Sequence, residues 1–386
     1  MHGRRRWLVL GTGTLVQTSQ AAAFMGLAVL APTLRERYDL SLSQIGVVLG
    51  ISGAGAVLTL LPWGLAADRV GERTTATIGL LGAAAGLAAA AYAPDYAELV
   101  LLLAGAGAFG ASTNTATGRA VTSWFGRDER GFALGIRQTA IPIGGFMAAL
   151  ALPPIVDAGG SRAALLALAA FSLLAAITAV LWLTEGPVRA GVEDQADALR
   201  HPLRDRRIWR IAAGSAVLIF TQVAVTGFVV LFLEGQRGYS HAAAGGALAA
   251  INVLGAAGRL AGGRLSDRAG SRIVPIRAIA VATAVVLGVA AAAEHGSGWL
   301  LVPALVLGGG LSMSWNGLAV TATVETAEAR RSGAALGLQQ TLIGVSVAVT
   351  PLVFAPLVAA TSWSAGFAVA AAVPVAALAV LHPLGR

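Results

Sequence analysis

Two ten-residue stretches decide the fold: GLAADRVGER at residues 64–73 and GRLSDRAGSR at residues 263–272. Each follows a long apolar segment, and the two copies share five residues at identical spacing. The shared residues are Gly64, Asp68, Arg69, Gly71 and Arg73 in the first copy and Gly263, Asp267, Arg268, Gly270 and Arg272 in the second. A charged loop that recurs with its spacing intact indicates two related halves that run in the same orientation.

Other matches occur in the same order along both halves. They are residues 133–139 with 335–341 (which share Ala, Leu, Gly, Gln and Thr), Gly118 with Gly317, and Gln20 with Gln222. The last pair follows from setting Trp7 on Trp209. Because all the matches keep one order, the repeat covers most of the chain.

The composition indicates that lipid is the solvent. Of 386 residues, 56% are hydrophobic and only 12% are charged, and the mean hydropathy is +0.75. A soluble domain of this length needs roughly a quarter of its residues charged to cover its surface. Cysteine is absent, so the sequence excludes disulfides, thiolate metal sites and cysteine nucleophiles.

Twelve apolar segments have the length that a membrane span requires. A bilayer core of about 30 Å is crossed by about 20 helical residues. The predicted spans are 7–31, 43–67, 74–93, 97–120, 131–152 and 162–183 in the first half and 208–233, 242–263, 273–293, 299–322, 333–359 and 363–383 in the second. The first segment is too long for a signal peptide, and we expect a retained helix.

Arginine placement predicts the orientation of these spans. Most arginines fall in one alternating set of connections, whereas the opposite set contains only Arg35, Arg37, Arg162 and Arg237. Basic residues are retained on the cytoplasmic side of membrane proteins. We therefore expect both termini in the cytoplasm, and the net charge of +8 reflects topology and excludes nucleic-acid binding.

The doubled loop resembles the signature loop of the major facilitator superfamily, which follows the second and eighth helices. The resemblance implies an all-α membrane protein of the bacterial cytoplasmic membrane, with twelve transmembrane helices in two six-helix bundles. A pseudo-twofold axis along the membrane normal relates the bundles, and the substrate site lies between them near the midplane. We expect bundles at 1–183 and 208–386, a cytoplasmic linker at 184–207, and a monomer.

The resemblance also implies a cytoplasmic gate. Its expected members are Gly64, Asp68, Arg69, Gly71, Arg73, Asp267, Arg268 and Arg272, with Arg130 and Arg331 as partners. In the family such ion pairs hold the cytoplasmic side closed and break when the transporter opens inward. The alternative is a static surface salt bridge, worth about 0–1 kcal/mol, that only fixes topology.

Arg259 is the leading candidate for substrate contact. It lies roughly 12 Å inside the eighth helix, where a cation costs about 2.5–3.5 kcal/mol. Its repeat counterpart is Leu60, so the fold itself does not require a charge there. The sequence offers no Asp or Glu near the middle of a predicted span. A guanidinium at this depth is suited to bind a planar anion bidentately, although a structural ion pair is the alternative.

Two more arginines fall within predicted helices. Arg137, in the fifth span, has Gln339 as its counterpart, and it either points into the cavity or snorkels to the interface. Arg119, close to Trp124 and Phe125 near the end of the fourth span, is predicted to anchor the interface.

Uncharged polar residues supply weaker candidates for substrate contact. These are Gln17, Gln20, Asn114, Gln138, Gln222, Asn252, Trp315, Asn316 and Gln340. Each is as well explained by hydrogen bonding between helices. The pairs Gln20/Gln222 and Gln138/Gln340 are favoured, because a site on the pseudo-twofold axis would contact both members.

Three local stretches resemble anion-transporting subfamilies. GRAVTSWFGRDERG at 118–131 is similar to organophosphate and anion:cation symporters, and ERGFALGIRQTAIPIGG at 129–145 to cyanate and nitrate/nitrite permeases. GRLAGGRLSDR at 258–268 is similar to monocarboxylate and oxalate:formate carriers. We expect alternating-access transport of a small anion, a monocarboxylate or a similar planar anion, by proton-coupled symport or by anion exchange.

The alternative function is a proton-coupled efflux antiporter for drugs or amphiphilic metabolites. The first span offers Gln17 and Gln20 where drug:proton antiporters often have an acidic residue, which weakens this reading. The sequence has no HExxH motif, no nucleophile–base constellation and no dinucleotide fingerprint. We therefore expect no enzymatic activity, no metal site and no cofactor.

Overall fold

The structure is a computed structural model that describes residues 2–186, 205–296, 298–327 and 332–384. Over these residues the chain is helical and contains no strand. The helices are α1 (His2–Arg37), α2 (Leu42–Ala90), α3 (Tyr96–Gly110), α4 (Ser112–Trp124), α5 (Arg127–Gln138), α6 (Ala140–Trp182), α7 (Arg206–Arg237), α8 (His241–Ala269), α9 (Ile273–Ala292), α10 (Gly298–Met313), α11 (Asn316–Ala327), α12 (Ser332–Ala360) and α13 (Trp363–Leu381). A 3₁₀ turn at His382–Leu384 follows.

The helices supply twelve membrane passages. Ten helical runs within the described residues are long and apolar enough to cross a bilayer, and two of these contain 49 and 51 residues. A passage needs only about 20 residues, and both long runs are interrupted by glycine. Gly71 adopts φ 82° and ψ 165° inside α2, and Gly160 adopts φ 66° inside α6. Each long run therefore contributes two passages.

Several spans are made of two consecutive helices. The fourth span consists of α3 and α4, which meet at Ala111, and the tenth consists of α10 and α11, which meet at Ser314 and Trp315. The fifth span begins with α5 and continues into α6 after Thr139. The two related halves thus both have a break near the middle of their fourth helix.

The chain divides into two compact units. The first comprises residues 1–191 and 233–246, and the second comprises residues 192–232 and 247–386. The predicted bundle boundaries at 1–183 and 208–386 remain a prediction. Of the predicted linker at 184–207, residues 187–204 lie outside the described part of the chain.

Many large apolar side chains in both units point outward. Leu58 is 78% exposed, and Leu61, Leu101 and Leu260 are similarly exposed. Large exposed apolar areas are rare on soluble monomers and are expected on a lipid-facing surface. The outward-facing leucines therefore lie where lipid chains would contact the protein.

Glycines bring the second and fourth spans into backbone contact. A Cβ atom built on Gly107 would stand 2.6 Å from the carbonyl carbon of Ser52, and one on Gly55 would stand 3.1 Å from the carbonyl carbon of Ala104. Close to these glycines, Thr59 and Trp63 both donate hydrogen bonds of 2.7 Å to the Ala108 carbonyl. Small residues permit such close helix packing in membranes, and here they position α3 and α4 against α2.

Candidate functional site

Arg137 lies at the centre of a buried polar cluster in the first unit. Its side chain extends from the last turn of α5 towards α4 and α1, and the residue is only 5% exposed. Nε donates to Thr117 Oγ1 at 2.9 Å, and Nη2 donates to the Asn114 carbonyl at 3.0 Å. Nη2 also reaches Asn114 Oδ1 and Gln17 Oε1 at 3.4 Å. The side chain therefore points into the bundle, and the snorkelling alternative is wrong.

The acceptors around Arg137 are all neutral. The Thr117 hydroxyl donates to the Thr113 carbonyl at 2.6 Å, which turns its lone pairs towards the guanidinium. No carboxylate of the described residues forms an ion pair with Arg137, and its Nη1 donates to no described acceptor. The cluster thus holds a cation by dipoles and leaves one amino group of the guanidinium available.

Gln20 lies next to the break in the fourth span. Its side-chain amide occupies the space where a Cβ atom of Gly110 would stand. Gly110 is the last residue of α3, so Gln20 and the Arg137 cluster both contact the fourth span close to Ala111. Gln138 and Gln340, one of the two favoured symmetric pairs, are partly buried.

The second unit contains a corresponding polar network at the break in the tenth span. Arg259 Nε donates to the Met313 carbonyl at 3.0 Å, and Asn316 Nδ2 donates to the same carbonyl at 3.2 Å. Asn316 Nδ2 also donates to Gln222 Oε1 at 2.9 Å. Three residues predicted as site members are therefore connected, since Arg259 and Asn316 share the Met313 carbonyl and Gln222 accepts from Asn316.

Two candidates belong to the interior of the second unit instead. Trp315 is 1% exposed and packs in an apolar core with Ile211, Leu218 and Ile276. Asn252 is also 1% exposed, and its Nδ2 donates to the Leu248 carbonyl of its own helix at 2.9 Å. Among the described residues, Trp315 Nε1 and Asn252 Oδ1 are buried without a hydrogen-bond partner, so packing alone does not explain either side chain, and substrate contact stays a prediction for both.

Two acceptors at the arginines were not among the predicted site residues. They are the Thr117 hydroxyl and the Met313 carbonyl. The Met313 carbonyl was missed because a backbone carbonyl next to a helix break has no signature of its own in the sequence. The polar run STNTAT at 112–117, within an otherwise apolar span, was the available signal for the first. Among the described residues, no three His, Cys, Asp or Glu side chains are grouped to hold a metal ion.

The first copy of the doubled loop is held by an arginine of the fourth span. Arg119 forms ion pairs with Asp68 and, at 3.5 Å, with Glu72. The sequence predicted an interface anchor at Arg119, whereas its guanidinium instead ties α4 to the loop. Gly71 adopts the left-handed φ that the turn needs.

The second copy of the loop has a different arrangement of charges. Its own Arg272 pairs with Asp267 and, at 2.9 Å, with Glu325 from α11. Hydrogen bonds that Arg272 donates to Glu325 first and to Asp267 second raise the pKa of Arg272 above its usual value, so the residue stays charged. In the first copy the loop supplies both acids and the fourth span supplies the base, whereas in the second the loop supplies the base and one acid and the tenth span supplies the other acid.

The remaining gate candidates show no described ion pair. Arg69, Arg73 and Arg268 are exposed, and none forms an ion pair with a residue that the structure describes. Gly64 has open space where a Cβ atom would stand. The side chain of Arg130 and the whole of Arg331 lie outside the described part of the chain. Each described loop network is thus internal to its own unit.

Residues 13–351 match the family model described as Major Facilitator Superfamily. The chain belongs to this superfamily. A relative described as an uncharacterized MFS-type transporter, from Mycobacterium tuberculosis (strain ATCC 25618 / H37Rv), is 34% identical over 97% of this chain and 84% of its own length.

Further similarities agree with the superfamily assignment. The protein named "Probable sulfoacetate transporter SauU", from Cupriavidus necator, is 26% identical over 93% of this chain and 88% of its own length. A crystal structure of a bacterial homologue of the human lysosomal transporter Spinster, inward-facing and unoccupied, has a TM-score of 0.79. It covers 98% of this chain and 95% of that chain at 18% identity, which shows the shared fold. This superfamily member is therefore a multi-pass membrane transporter and not an enzyme.

Proposed function

We propose that this superfamily member is a secondary transporter of a small planar anion, with Arg137 as the first charge contact and Arg259 as the second. The observation that carries the proposal is the buried Arg137 cluster. A cation inside a membrane bundle costs about 2.5–3.5 kcal/mol on insertion scales and is placed there for a function by default. Arg137 is surrounded by neutral acceptors within the described residues, so an anion would supply the missing negative charge.

The shape of the guanidinium favours a planar oxyanion. Arginine presents its donors in a rigid fork that matches a carboxylate bidentately. Nη1 of Arg137 is available among the described contacts, and it shares one edge of the fork with Nη2. The relative from Cupriavidus necator is named for sulfoacetate, a small molecule with two acidic groups, which supports an anionic substrate for this chain.

The same proposal covers how transport is driven, how the protein is oriented in the membrane and which residues form the cytoplasmic gate. Transport is by proton-coupled symport or by anion exchange, and the protein acts as a monomer in the bacterial cytoplasmic membrane with both termini in the cytoplasm. The arginine distribution supports this orientation, since Arg35, Arg37, Arg162 and Arg237 are the few arginines of the opposite side. The doubled loops, braced within each unit, act as the cytoplasmic gate.

A thermal-shift screen of the purified protein tests the substrate class. We expect sulfoacetate, nitrate or a simple carboxylate to stabilise the wild type, by about 2.7 kcal/mol at one hundred times the dissociation constant. The Arg259→Leu variant, which installs the residue of the related half, should bind the same anion more weakly. Stabilisation by cationic amphiphiles alone would contradict the proposal and favour an efflux antiporter.

A further inference from the structure

The fourth and tenth spans are broken at related positions. In the fourth span, the backbone N–H of Asn114 donates to the Ala111 carbonyl, three residues earlier in the chain, at 3.2 Å. In the tenth span, the Ser314 amide donates to the Leu311 carbonyl in the same way at 3.0 Å. Such tightened turns within a helix often mark hinges. The two halves therefore share a potential hinge at this level of the bundle.

An arginine is held by a carbonyl at each break. Arg137 donates to the carbonyl of Asn114, and Arg259 donates to the carbonyl of Met313, both at 3.0 Å. The match of Gly118 with Gly317 sets Asn114 opposite Met313 in the sequence repeat. The same carbonyl position thus accepts from an arginine in both halves.

The two arginines themselves are not related by the repeat. Arg137 extends from the fifth span and has Gln339 as its counterpart, whereas Arg259 extends from the eighth span and has Leu60 as its counterpart. The contact is therefore not a relic of duplication, because each half makes it from a different helix. This points to a role for the arginine–carbonyl contact itself.

The donors of Arg137 are too few for both its present acceptors and a bidentate anion. Nη2 has two protons and three acceptors, which are the Asn114 carbonyl, Asn114 Oδ1 and Gln17 Oε1. An anion on the Nη1–Nη2 edge takes one of those two protons. Bidentate binding must then weaken at least one of the three contacts of Nη2, and two of the three are with Asn114.

We propose that Asn114 is a positioning residue that holds Arg137 in the empty transporter, and that a bound anion releases Asn114 and loosens the break in the fourth span. The inference rests on the proposed function, since it requires an anion at Arg137. It goes further because it gives the anion a direct effect on a transmembrane helix.

The tenth span has a second donor at the same position. Asn316 Nδ2 donates to the Met313 carbonyl at 3.2 Å and is itself bonded to Gln222 at 2.9 Å. If Arg259 turns towards an anion, the Met313 carbonyl still accepts the hydrogen bond from Asn316 Nδ2. The Asn114 carbonyl has Arg137 as its side-chain donor among the described residues. The fourth span should therefore loosen on binding, while the tenth span serves as an internal reference.

Hydrogen–deuterium exchange of the purified full-length protein tests this inference. Without any anion, Arg137→Gln should raise amide exchange at 111–116 by roughly three- to ten-fold, the equivalent of one lost hydrogen bond. Saturating sulfoacetate should raise exchange at 111–116 of the wild type by a similar factor. Exchange at 312–317 should change less than two-fold in both comparisons, on the order of experimental scatter.

The outcomes separate this inference from the proposed function. Unchanged exchange at 111–116 in the empty Arg137→Gln variant overturns the positioning role whether or not an anion binds. Protection of 111–116 by a bound anion overturns it as well, since ordinary packing around a ligand gives protection. If no anion stabilises the wild type but the empty variant exchanges faster, the anion proposal fails and the release step fails with it. Should Arg137→Gln not fold, Arg137→Lys replaces it, because one ammonium cannot span Thr117 and Asn114.

Discussion

Replacing Arg137 by Gln should raise the dissociation constant for the transported anion by about 100-fold or more. Removing one partner of a desolvated charge pair typically costs about 2–5 kcal/mol of binding free energy. Glutamine is the residue that the related half has at this position, where Gln339 is fully buried and donates to Ser215 at 2.9 Å. The substitution should therefore be accepted by the fold, and titration calorimetry with sulfoacetate measures the loss.

A matched control separates local recognition from net charge. Arg264→Gln removes the same charge from an exposed position of α8, and it should leave the dissociation constant within about two-fold, since an exposed charge is screened. Equal losses in the two variants would assign the effect to the overall field of the protein. An unchanged dissociation constant in Arg137→Gln would remove Arg137 from the site.

Replacing Gly107 by Ala should destabilise the first unit strongly. The new Cβ atom would stand 2.6 Å from the carbonyl carbon of Ser52 and 2.7 Å from its Cα, and backbone atoms cannot move aside as a flexible side chain can. Overpacking of this kind costs typically about 1–3 kcal/mol, and here it would separate α3 from α2. A lower midpoint of thermal unfolding in detergent measures the effect.

Gly105 provides the control for Gly107 on the same helix. Both lie in α3, and a Cβ atom on Gly105 would meet nothing within 4 Å. Gly105→Ala should therefore leave the midpoint unchanged or raise it slightly, because alanine is the better helix former by up to about 1 kcal/mol. If both variants unfold at the same temperature, the close contact between α2 and α3 does not limit stability.

The fold was predictable from the repeat and the apolar segments. The doubled loop and the twelve segments led to the superfamily, because segment length is set by bilayer thickness. The sequence did not show that α2 continues almost unbroken through Gly71 into the third passage. A single glycine is compatible with either a loop or a sharp turn between helical residues, and only packing decides between them.

The residues of the candidate site were predictable from the sequence, but the hydrogen bonds between them were not. Arg259 led the prediction because its counterpart is Leu60 and the sequence offered no acid near the middle of a span, whereas snorkelling stayed an alternative for Arg137. The structure gives each arginine a backbone carbonyl as an acceptor. Whether Arg137 snorkels or turns inward depends on acceptors from α1 and α4 that are distant in sequence. Spacing along one helix cannot report such contacts.

The ion pairs of the two loops were also only partly predictable from the sequence. The motif residues Asp68 and Asp267 were predicted as ion-pair partners, and both are paired within their units. Their partners differ, because Arg119 comes from the fourth span while Arg272 comes from the loop itself. The predicted partners were Arg130 and Arg331, whereas the described partners of the two aspartates are Arg119 and Arg272, which the repeat does not relate to each other.

Uptake into proteoliposomes is the most direct test of anion transport through Arg137. Vesicles containing the wild type should accumulate labelled sulfoacetate or the best anion of the thermal screen, in a saturable manner. Vesicles with Arg137→Gln should take up less than about one hundredth of that amount at low substrate concentration, as a 100-fold loss of affinity requires, while Arg264→Gln should match the wild type. Wild-type uptake by Arg137→Gln, or transport of cationic amphiphiles with no response to anions, would contradict the assignment of an anion transporter.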